Sequence, residues 1–103
     1  MKDHHKSVLL NETVENLIMN KSGIYIDGTI GFAGHSKNIL NNLNKNGKLI
    51  GIDLDSYALK CSKDNLSKFP KQSYSLYKGN FSEFPSIIKD IGISKVDGIV
   101  VDL

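Results

Sequence analysis

Four short apolar runs, separated by segments of helical periodicity, constrain the fold of this chain more than any other feature. The runs occupy residues 24–30, 48–53, 74–77 and 96–103. Short runs rich in β-branched residues and bounded by glycine or polar residues are typical of buried strands. Apolar residues recur at the spacing of a helix face in segments 12–19, 34–43, 55–66 and 84–91. These segments predict four helices.

Strand and helix therefore alternate along the whole chain. Continuous apolar strands, each followed by a helix, predict a parallel sheet that is covered on both faces. Right-handed crossovers then predict a doubly wound, Rossmann-like α/β fold with strand order 3-2-1-4. In that order the fourth strand is an exposed edge, which is an aggregation liability. We therefore expect residues 1–103 to be the N-terminal half of a larger domain, truncated after its fourth strand, with a helical segment at about 5–20.

Composition excludes several classes of protein. The 103 residues include 13 lysines, no arginine and 11 acidic residues, so the formal charge is only +2. This balance excludes a polybasic tail protein but leaves room for a local basic face that meets RNA. Cys61 is the single cysteine, which excludes an internal disulfide and a multi-cysteine zinc site. No apolar run approaches the roughly 20 residues that span a membrane, and no secretory signal is evident.

A glycine-rich loop follows the first predicted strand. It reads D-G-T-I-G-F-A-G-H over residues 27–35. Glycine allows the backbone to turn sharply and to approach a ligand without an intervening side chain. The helix that follows presents free N–H groups and a positive dipole end, which suit an anionic group. Asp53 ends the second strand, where an acidic residue can accept hydrogen bonds from both ribose hydroxyls of an adenosine cofactor.

The loop discriminates between two nucleoside cofactors. Its glycines follow G-x-x-G-x-x-G, whereas a dinucleotide-binding loop has G-x-G-x-x-G. S-adenosylmethionine (SAM) carries no phosphate, and Asp27 at the exit of the first strand can hold its ammonium group directly or through water. The spacing therefore favours SAM, while an NAD-dependent oxidoreductase domain is the alternative. The other interpretation is a plain glycine turn, with Asp27 as a turn residue and Asp53 as a helix cap.

Two further residues lie at predicted strand ends. Asp102 closes the fourth strand, beside the first strand at the topological switch point where ligands bind. It can contact the cofactor or accept a hydrogen bond from a substrate amine, or it can simply begin a turn. Phe81 follows the third strand, where an aromatic ring can pack on an adenine face or in the core. His4 and His5 lack partners at metal-ligand spacing, so we expect no metal site.

Five segments resemble a known family in their order and spacing. They are H-K-S-V-L-L-N-E, I-Y-I-D-G-T-I-G-F-A-G-H-S, G-I-D-L-D, G-N-F and V-D-G-I-V-V-D-L, which begin at residues 5, 24, 51, 79 and 96. Together they resemble the bacterial 16S ribosomal RNA cytosine-N4 methyltransferases, the RsmH (formerly MraW) family. The resemblance implies a class I SAM-dependent methyltransferase fold in a cytoplasmic bacterial enzyme. It also implies the small ribosomal subunit as partner and methylation of the exocyclic N4 amine of a cytidine in the decoding region.

The resemblance also assigns site residues. Cofactor contacts map to Ala33, Gly34, His35, Asp53, Phe81 and Asp102. Two positions depart from the family pattern. Ala33 stands where the family usually has glycine, and Leu54 stands where it usually has arginine, so the loop backbone and the adenosine end are both altered.

Several alternatives stay open at this point. The chain is either the cofactor-binding part of the methyltransferase, an NAD-dependent oxidoreductase domain, or a non-catalytic nucleoside- or RNA-binding fragment. Asp102 is the one candidate acceptor for the cytosine amine, and the catalytic residue is otherwise unknown. We expect the chain alone to be inactive, because the family's substrate-binding insertion has no counterpart before Leu103. The sequence does not determine the oligomeric state.

Overall fold

The computed structural model describes residues 20–28 and 34–100, in which a parallel sheet lies between helices on both faces. In chain order the elements are β1 (Ile24–Asp27), α1 (Gly34–Asn42), β2 (Lys48–Asp53), α2 (Ser56–Asn65), β3 (Tyr74–Lys78), α3 (Phe84–Asp90) and β4 (Gly98–Val100). Two short 3₁₀ turns, Lys71–Ser73 and Phe81–Glu83, precede β3 and α3. The alternation predicted from the apolar runs is confirmed.

The sheet has the order β3-β2-β1-β4, and every pair of neighbouring strands is parallel. Ile26 of β1 lies opposite Ile50 of β2 and Ile99 of β4, which sets the register across the centre of the sheet. The predicted order 3-2-1-4 and the Rossmann-like α/β class are therefore confirmed. Ile99 lies on β4, at one edge of the described sheet, and is 38% exposed.

The alternation of side chains along each strand divides the core into two layers. Tyr25 and Leu49 point to the face that carries α1 and α2, where they pack with Ile39, Leu40 and Leu66. Ile26, Ile50 and Ile52 point to the other face, where partly buried residues of α3 cover them. Each such side chain stabilises the fold by about 1.5–3 kcal/mol relative to exposure. The four central residues of β2, 49–52, are buried, which accounts for the unbroken apolar stretch there.

Helix α2 begins as its sequence predicts. The Asp55 side chain accepts a hydrogen bond from the Tyr57 backbone N–H, at 2.9 Å, and so caps the first turn. The backbone N–H of Leu66 closes the last turn by donating to the Ser62 carbonyl. This cap lies two residues after Asp53 and the helix starts at Ser56, so the loop at the carboxyl end of β2 is short and fixed.

Some predictions fall on residues that the structure does not describe. These are the helix at 12–19 within the segment 5–20, the two histidines at 4 and 5, residues 29–33 of the first run and the glycine-rich loop, and the residues 101–103 that extend the fourth run. The site residues Ala33 and Asp102 are among them. Among the described residues, no helix is long and apolar enough to cross a membrane. The same part of the chain contains no group of three or more histidine, cysteine and acidic side chains that could hold a metal ion.

Candidate functional site

A cavity of about 190 Å³ opens at the carboxyl edge of the sheet. It is lined by Gly28, Asp53, Leu54, Gly79, Asn80 and Phe81. These residues follow or end β1, β2 and β3, because the carboxyl ends of parallel strands meet at one edge. The cavity is smaller than the roughly 300–1,000 Å³ of a pocket for a whole drug-sized ligand. It therefore suits one half of a nucleoside cofactor.

Asp53, which lines this cavity, accepts hydrogen bonds from two backbone N–H groups. Its Oδ1 accepts a hydrogen bond from the Asp55 N–H at 2.8 Å, and its carbonyl accepts one from the Gly79 N–H at 2.9 Å. The first contact orients the carboxylate, and the second joins the loops that follow β2 and β3. The half-buried carboxylate thus keeps a defined position next to the cavity, as a group that binds hydroxyls requires.

Phe81 packs directly over the backbone of Gly28. A Cβ atom built on Gly28 would lie 2.2 Å from Cδ1 and 2.6 Å from Cε1 of the Phe81 ring. The ring also stacks on Phe84, with centroids 5.2 Å apart. Phe81 is therefore both a member of the core layer beneath α3 and a wall of the cavity, so the two interpretations of its sequence position are compatible. Gly28 is required here because no side chain fits between β1 and this ring.

A capping box holds the loop that carries Phe81. The Asn80 side chain accepts from the Ser82 N–H at 3.0 Å, and Glu83 Oε1 accepts from the Asn80 N–H at 2.6 Å. This pair is absent from the predictions above, although asparagine followed three residues later by glutamate is a recognisable capping signal. The box fixes Asn80 and Phe81 at the cavity rim.

Helix α1 begins at Gly34, at the end of the glycine-rich segment. The Nδ1 atom of the next residue, His35, is buried and has no hydrogen-bond partner in the described structure. A buried polar atom without a partner is costly, so this nitrogen marks a place where a ligand can supply the missing contact. The first turn of α1 also presents backbone N–H groups and the positive end of its dipole.

Asp27 and Ser36 form a buried pair beneath this helix start. Both are completely buried, and Ser36 Oγ donates to Asp27 Oδ2 at 2.9 Å. Asp27 thus ties the end of β1 to the first turn of α1, which positions the segment between them. Sequence reasoning gave no role to Ser36, because no local signal reveals a contact between a strand and the following helix.

The structure groups the predicted site residues into two sets at the same edge. Asp53 and Phe81 line the cavity, while Gly34 and His35 begin α1 beyond the end of β1. Gly28 lies between the sets, and its N–H donates to the Val100 carbonyl at 2.8 Å, which joins β1 to β4. The boundary between the neighbouring strands β1 and β4 is the topological switch point, at which nucleotides bind in open α/β sheets.

The strand order and the edge cavity define the class, a Rossmann-like α/β fold. SAM-dependent methyltransferases of known structure share this fold. An O-methyltransferase from Bacillus cereus, solved in complex with SAH, superposes with a TM-score of 0.72 at 14% identity, over 89% of this chain and 43% of that one. The O-methyltransferase TomG from Streptomyces achromogenes, solved in complex with SAM, gives 0.68 at 17% identity, over 92% and 42%. At these identities the likeness concerns the fold alone.

The family follows from sequence. The profile of the MraW methylase family matches residues 2–103, and the chain belongs to that family. It is 44% identical to ribosomal RNA small subunit methyltransferase H 2 of Agathobacter rectalis and 45% identical to ribosomal RNA small subunit methyltransferase H of Clostridium botulinum. Both alignments cover all 103 residues of this chain and 32% or 33% of the relative. The chain thus spans about a third of the length of these relatives.

Proposed function

We propose that residues 1–103 form the SAM-binding part of an enzyme that methylates the N4 amine of a cytidine in 16S rRNA. Family membership supports the reaction class, and the names of the relatives support the small-subunit RNA as substrate. The observation that carries the cofactor assignment is the cavity at the carboxyl edge, where Asp53 and Phe81 converge from two different strands.

The cavity residues fit the adenosine half of the cofactor. The oriented carboxylate of Asp53 provides the acceptor for ribose hydroxyls, and the ring of Phe81 provides a flat apolar wall for a base. Leu54 lies at the rim and is 62% exposed, so its side chain can shield a bound base from water. The family's usual arginine at this position would contribute a charge instead, and the contact made here is apolar.

The start of α1 fits the amino-acid half. His35 Nδ1, buried without a described partner, and the N–H groups that begin α1 suit a carboxylate. We include Ala33 in this set because it directly precedes Gly34. The buried pair of Asp27 and Ser36 holds the helix start in place. When bound, SAM supplies a methyl group already activated on a sulfonium, so these residues mainly orient the donor and exclude water.

We place the acceptor side of the reaction next to β4. Asp102 follows Val100 by two residues, and the Val100 carbonyl is bonded to Gly28 at the switch point. An acidic side chain beside this point is suited to accept a hydrogen bond from the cytosine amine, whose lone pair is otherwise delocalised into the ring. The cytidine must leave its stack to reach such a site. We thus propose that Asp102 accepts a hydrogen bond from the cytosine amine next to the bound cofactor.

Calorimetric titration of the 103-residue chain with SAM tests the cofactor site. Asp53→Ala should weaken binding by about 1–3 kcal/mol, the range for loss of a charge-assisted hydrogen bond, or about 5- to 150-fold. The matched control is Asp64→Ala, which removes the same charge from an exposed position on α2. It should leave the dissociation constant unchanged.

The same titration separates the rival cofactors. Equal affinities of the wild-type chain and Asp53→Ala for SAM would overturn the ribose assignment. Tighter binding of NAD than of SAM would select the oxidoreductase alternative instead. A second assay uses tritium-labelled SAM and 30S subunits. We expect no transfer by this chain alone, and detectable transfer would contradict the view that it supplies only the cofactor-binding part.

A further inference from the structure

The lysines of the described chain are concentrated at the amino edge of the sheet, opposite the cavity. Every turn that leads into a strand carries at least one. We call the exposed members the amino-edge lysines: Lys21, Lys45, Lys68, Lys71 and Lys95. Lys48, the first residue of β2, and two lysines in the last turns of α2 and α3 lie at the same edge. Eight of the described lysines thus share one end of the molecule.

Acidic residues are distributed differently. The carboxyl edge carries Asp27, Asp53, Asp55 and Glu83, whereas the amino edge carries Asp64, Asp90 and Asp97. The carboxylate of Asp97 is already engaged, because its Oδ2 accepts the Ile24 N–H at 2.8 Å. Within residues 20–28 and 34–100, no ion pair holds an amino-edge lysine to a carboxylate. The small overall charge therefore conceals a strongly positive end.

Helix dipoles explain only part of this asymmetry. Cations are stabilised at helix C-termini, and in a parallel α/β fold every connecting helix ends at the amino edge. This accounts for Lys63 and Lys89, which lie in the last turns of α2 and α3. The amino-edge lysines lie in turns and in the 3₁₀ segment rather than in these helices, so the dipole argument does not account for them.

The turns that carry two of these lysines are joined rigidly. The Asn44 N–H donates to the Lys21 carbonyl at 2.9 Å, and Asn44 Nδ2 donates to Ser22 Oγ at 2.8 Å. Gly47 packs so closely that an added Cβ would lie 2.5 Å from the Lys21 carbonyl oxygen. The backbones of the β1 and β2 turns are thus fixed against each other, and Lys21 and Lys45 project from one continuous surface.

We propose that the amino-edge lysines bind the phosphate backbone of folded RNA. Lysine binds phosphate as a point charge and tolerates different geometries, which suits contact with a backbone independent of sequence. The large apolar side chains exposed among the described residues are Leu54, Tyr57 and Ile99, and none lies in the amino-edge turns. Among the described residues, the amino-edge turns thus expose lysines but no large apolar side chain on which single-stranded bases could stack.

The surface lies one strand length away from the cofactor cavity. The six residues of β2 span about 20 Å, so a nucleotide at the cavity cannot itself contact the amino-edge lysines. Only an RNA long enough to extend around the molecule reaches both sites. That the RNA is ribosomal rests on the proposed function, whereas binding to phosphates at this edge does not depend on SAM.

A charge-matched pair of variants tests the proposal. One carries Lys45→Gln, Lys71→Gln and Lys95→Gln at the amino edge. The control carries Lys37→Gln, Lys60→Gln and Lys78→Gln elsewhere, and so loses the same three charges. All six positions are exposed, so folding should be preserved, which circular dichroism checks. Binding of a fluorescently labelled RNA hairpin is measured by anisotropy at several KCl concentrations.

The amino-edge variant should lower the slope of log affinity against log salt by about 2, because each lost phosphate contact contributes roughly 0.7–0.9. The control should change the slope by much less. Equal changes in both variants would mean a diffuse charge effect and would overturn the proposal. So would tighter competition by polyglutamate than by RNA, which would indicate an acidic protein partner.

Titration with SAM keeps this result separate from the proposed function. The amino-edge variant should bind SAM with the wild-type dissociation constant. If neither protein binds SAM but the amino-edge variant still loses its salt-dependent RNA binding, the cofactor assignment fails and the surface assignment stands. If SAM binds normally and the RNA slopes of wild type and amino-edge variant coincide, the surface assignment fails alone.

Discussion

The two edges of the sheet are built in different ways. At the carboxyl edge, a few side chains are fixed by buried contacts, such as the bond from Ser36 to Asp27 and the packing of Phe81 on Gly28. At the amino edge, backbone contacts fix the turns while the lysine side chains extend into solvent. A site that must orient a small ligand needs individually placed groups. A surface that attracts phosphates needs only a sufficient density of charge.

This contrast predicts that single substitutions act strongly at one edge and weakly at the other. At the carboxyl edge, Ser36 and Phe81 each make a specific buried contact, with Asp27 and Gly28 respectively. At the amino edge, loss of one lysine leaves several others within the same field. The substitutions that follow test this asymmetry in order of decreasing effect.

Gly28→Val should have the largest effect. Its Cβ alone would lie 2.2 Å from the Phe81 ring, and the ring cannot move freely because it stacks on Phe84. We expect the free energy of unfolding to fall by an amount near the top of the range of about 1–3 kcal/mol. We also expect SAM binding to be lost. Urea denaturation and calorimetry measure the two effects.

A paired substitution shows whether the steric contact is the cause. The pair is Gly28→Ala alone and Gly28→Ala combined with Phe81→Leu. The double variant should be more stable than Gly28→Ala alone, because the smaller side chain at position 81 leaves room for the new methyl group. It should not recover SAM affinity, since the flat wall of the cavity is gone. Wild-type stability of Gly28→Val would contradict the packing described for this site.

Ser36→Ala should have a smaller effect at the same edge. It removes one partner of the buried hydrogen bond to Asp27, and loss of a partner in a buried hydrogen bond costs about 1–3 kcal/mol. The better helix propensity of alanine offsets about half a kcal/mol of this loss. Asn44→Ala is the comparison at the amino edge, where the bonds are exposed and neutral and contribute about 0.5–1.5 kcal/mol.

The affinity for SAM distinguishes these two variants further. Ser36→Ala should also weaken SAM binding, since the first turn of α1 loses its tie to β1. Asn44→Ala should leave SAM binding unchanged, because the Asn44 contacts lie at the opposite end of the sheet. A weaker effect of Ser36→Ala than of Asn44→Ala on both stability and SAM affinity would show that the buried pair does not position the loop.

Most of the fold was predictable because its signals are local. The run 48–53, with its apolar centre at 49–52, matches the bounds of β2, since both faces of the middle of that strand are buried. Asp55 caps α2 as its position indicates. The strand order followed from the handedness of the crossovers and is confirmed.

The site was predictable only in part because several of its contacts are not local. The position of Asp53 follows from the strand that it ends. The packing of Phe81 on Gly28 joins residues 53 positions apart and depends on how the loops after β1 and β3 meet. The bond between Ser36 and Asp27 likewise depends on the angle of α1 to the sheet. Periodicity and capping signals contain no information on such distances.

The smallest predicted effect concerns Tyr57, in the first turn of α2 at the carboxyl edge. Its side chain is 65% exposed, and its pKa is raised above the ordinary value of 10.0 by a hydrogen bond with Cys61, with a smaller contribution from the charge of Asp55. Because the folded state holds this proton more tightly, the stabilisation is present below pH 10.0 and is lost as pH rises through the pKa of the folded state.

Difference titrations against Tyr57→Phe, followed by ultraviolet absorbance of the phenolate, isolate this group. Cys61→Ala should lower the Tyr57 pKa towards 10.0, because it removes the largest contribution. Asp55→Asn should lower it less, since asparagine retains the helix cap while removing the charge. If Asp55→Asn has the larger effect, the carboxylate field of this edge dominates the local electrostatics more than the contact with Cys61 does. An unshifted pKa in both variants would mean that exposure to solvent screens both groups, and that the charge contrast between the edges does not reach this side chain.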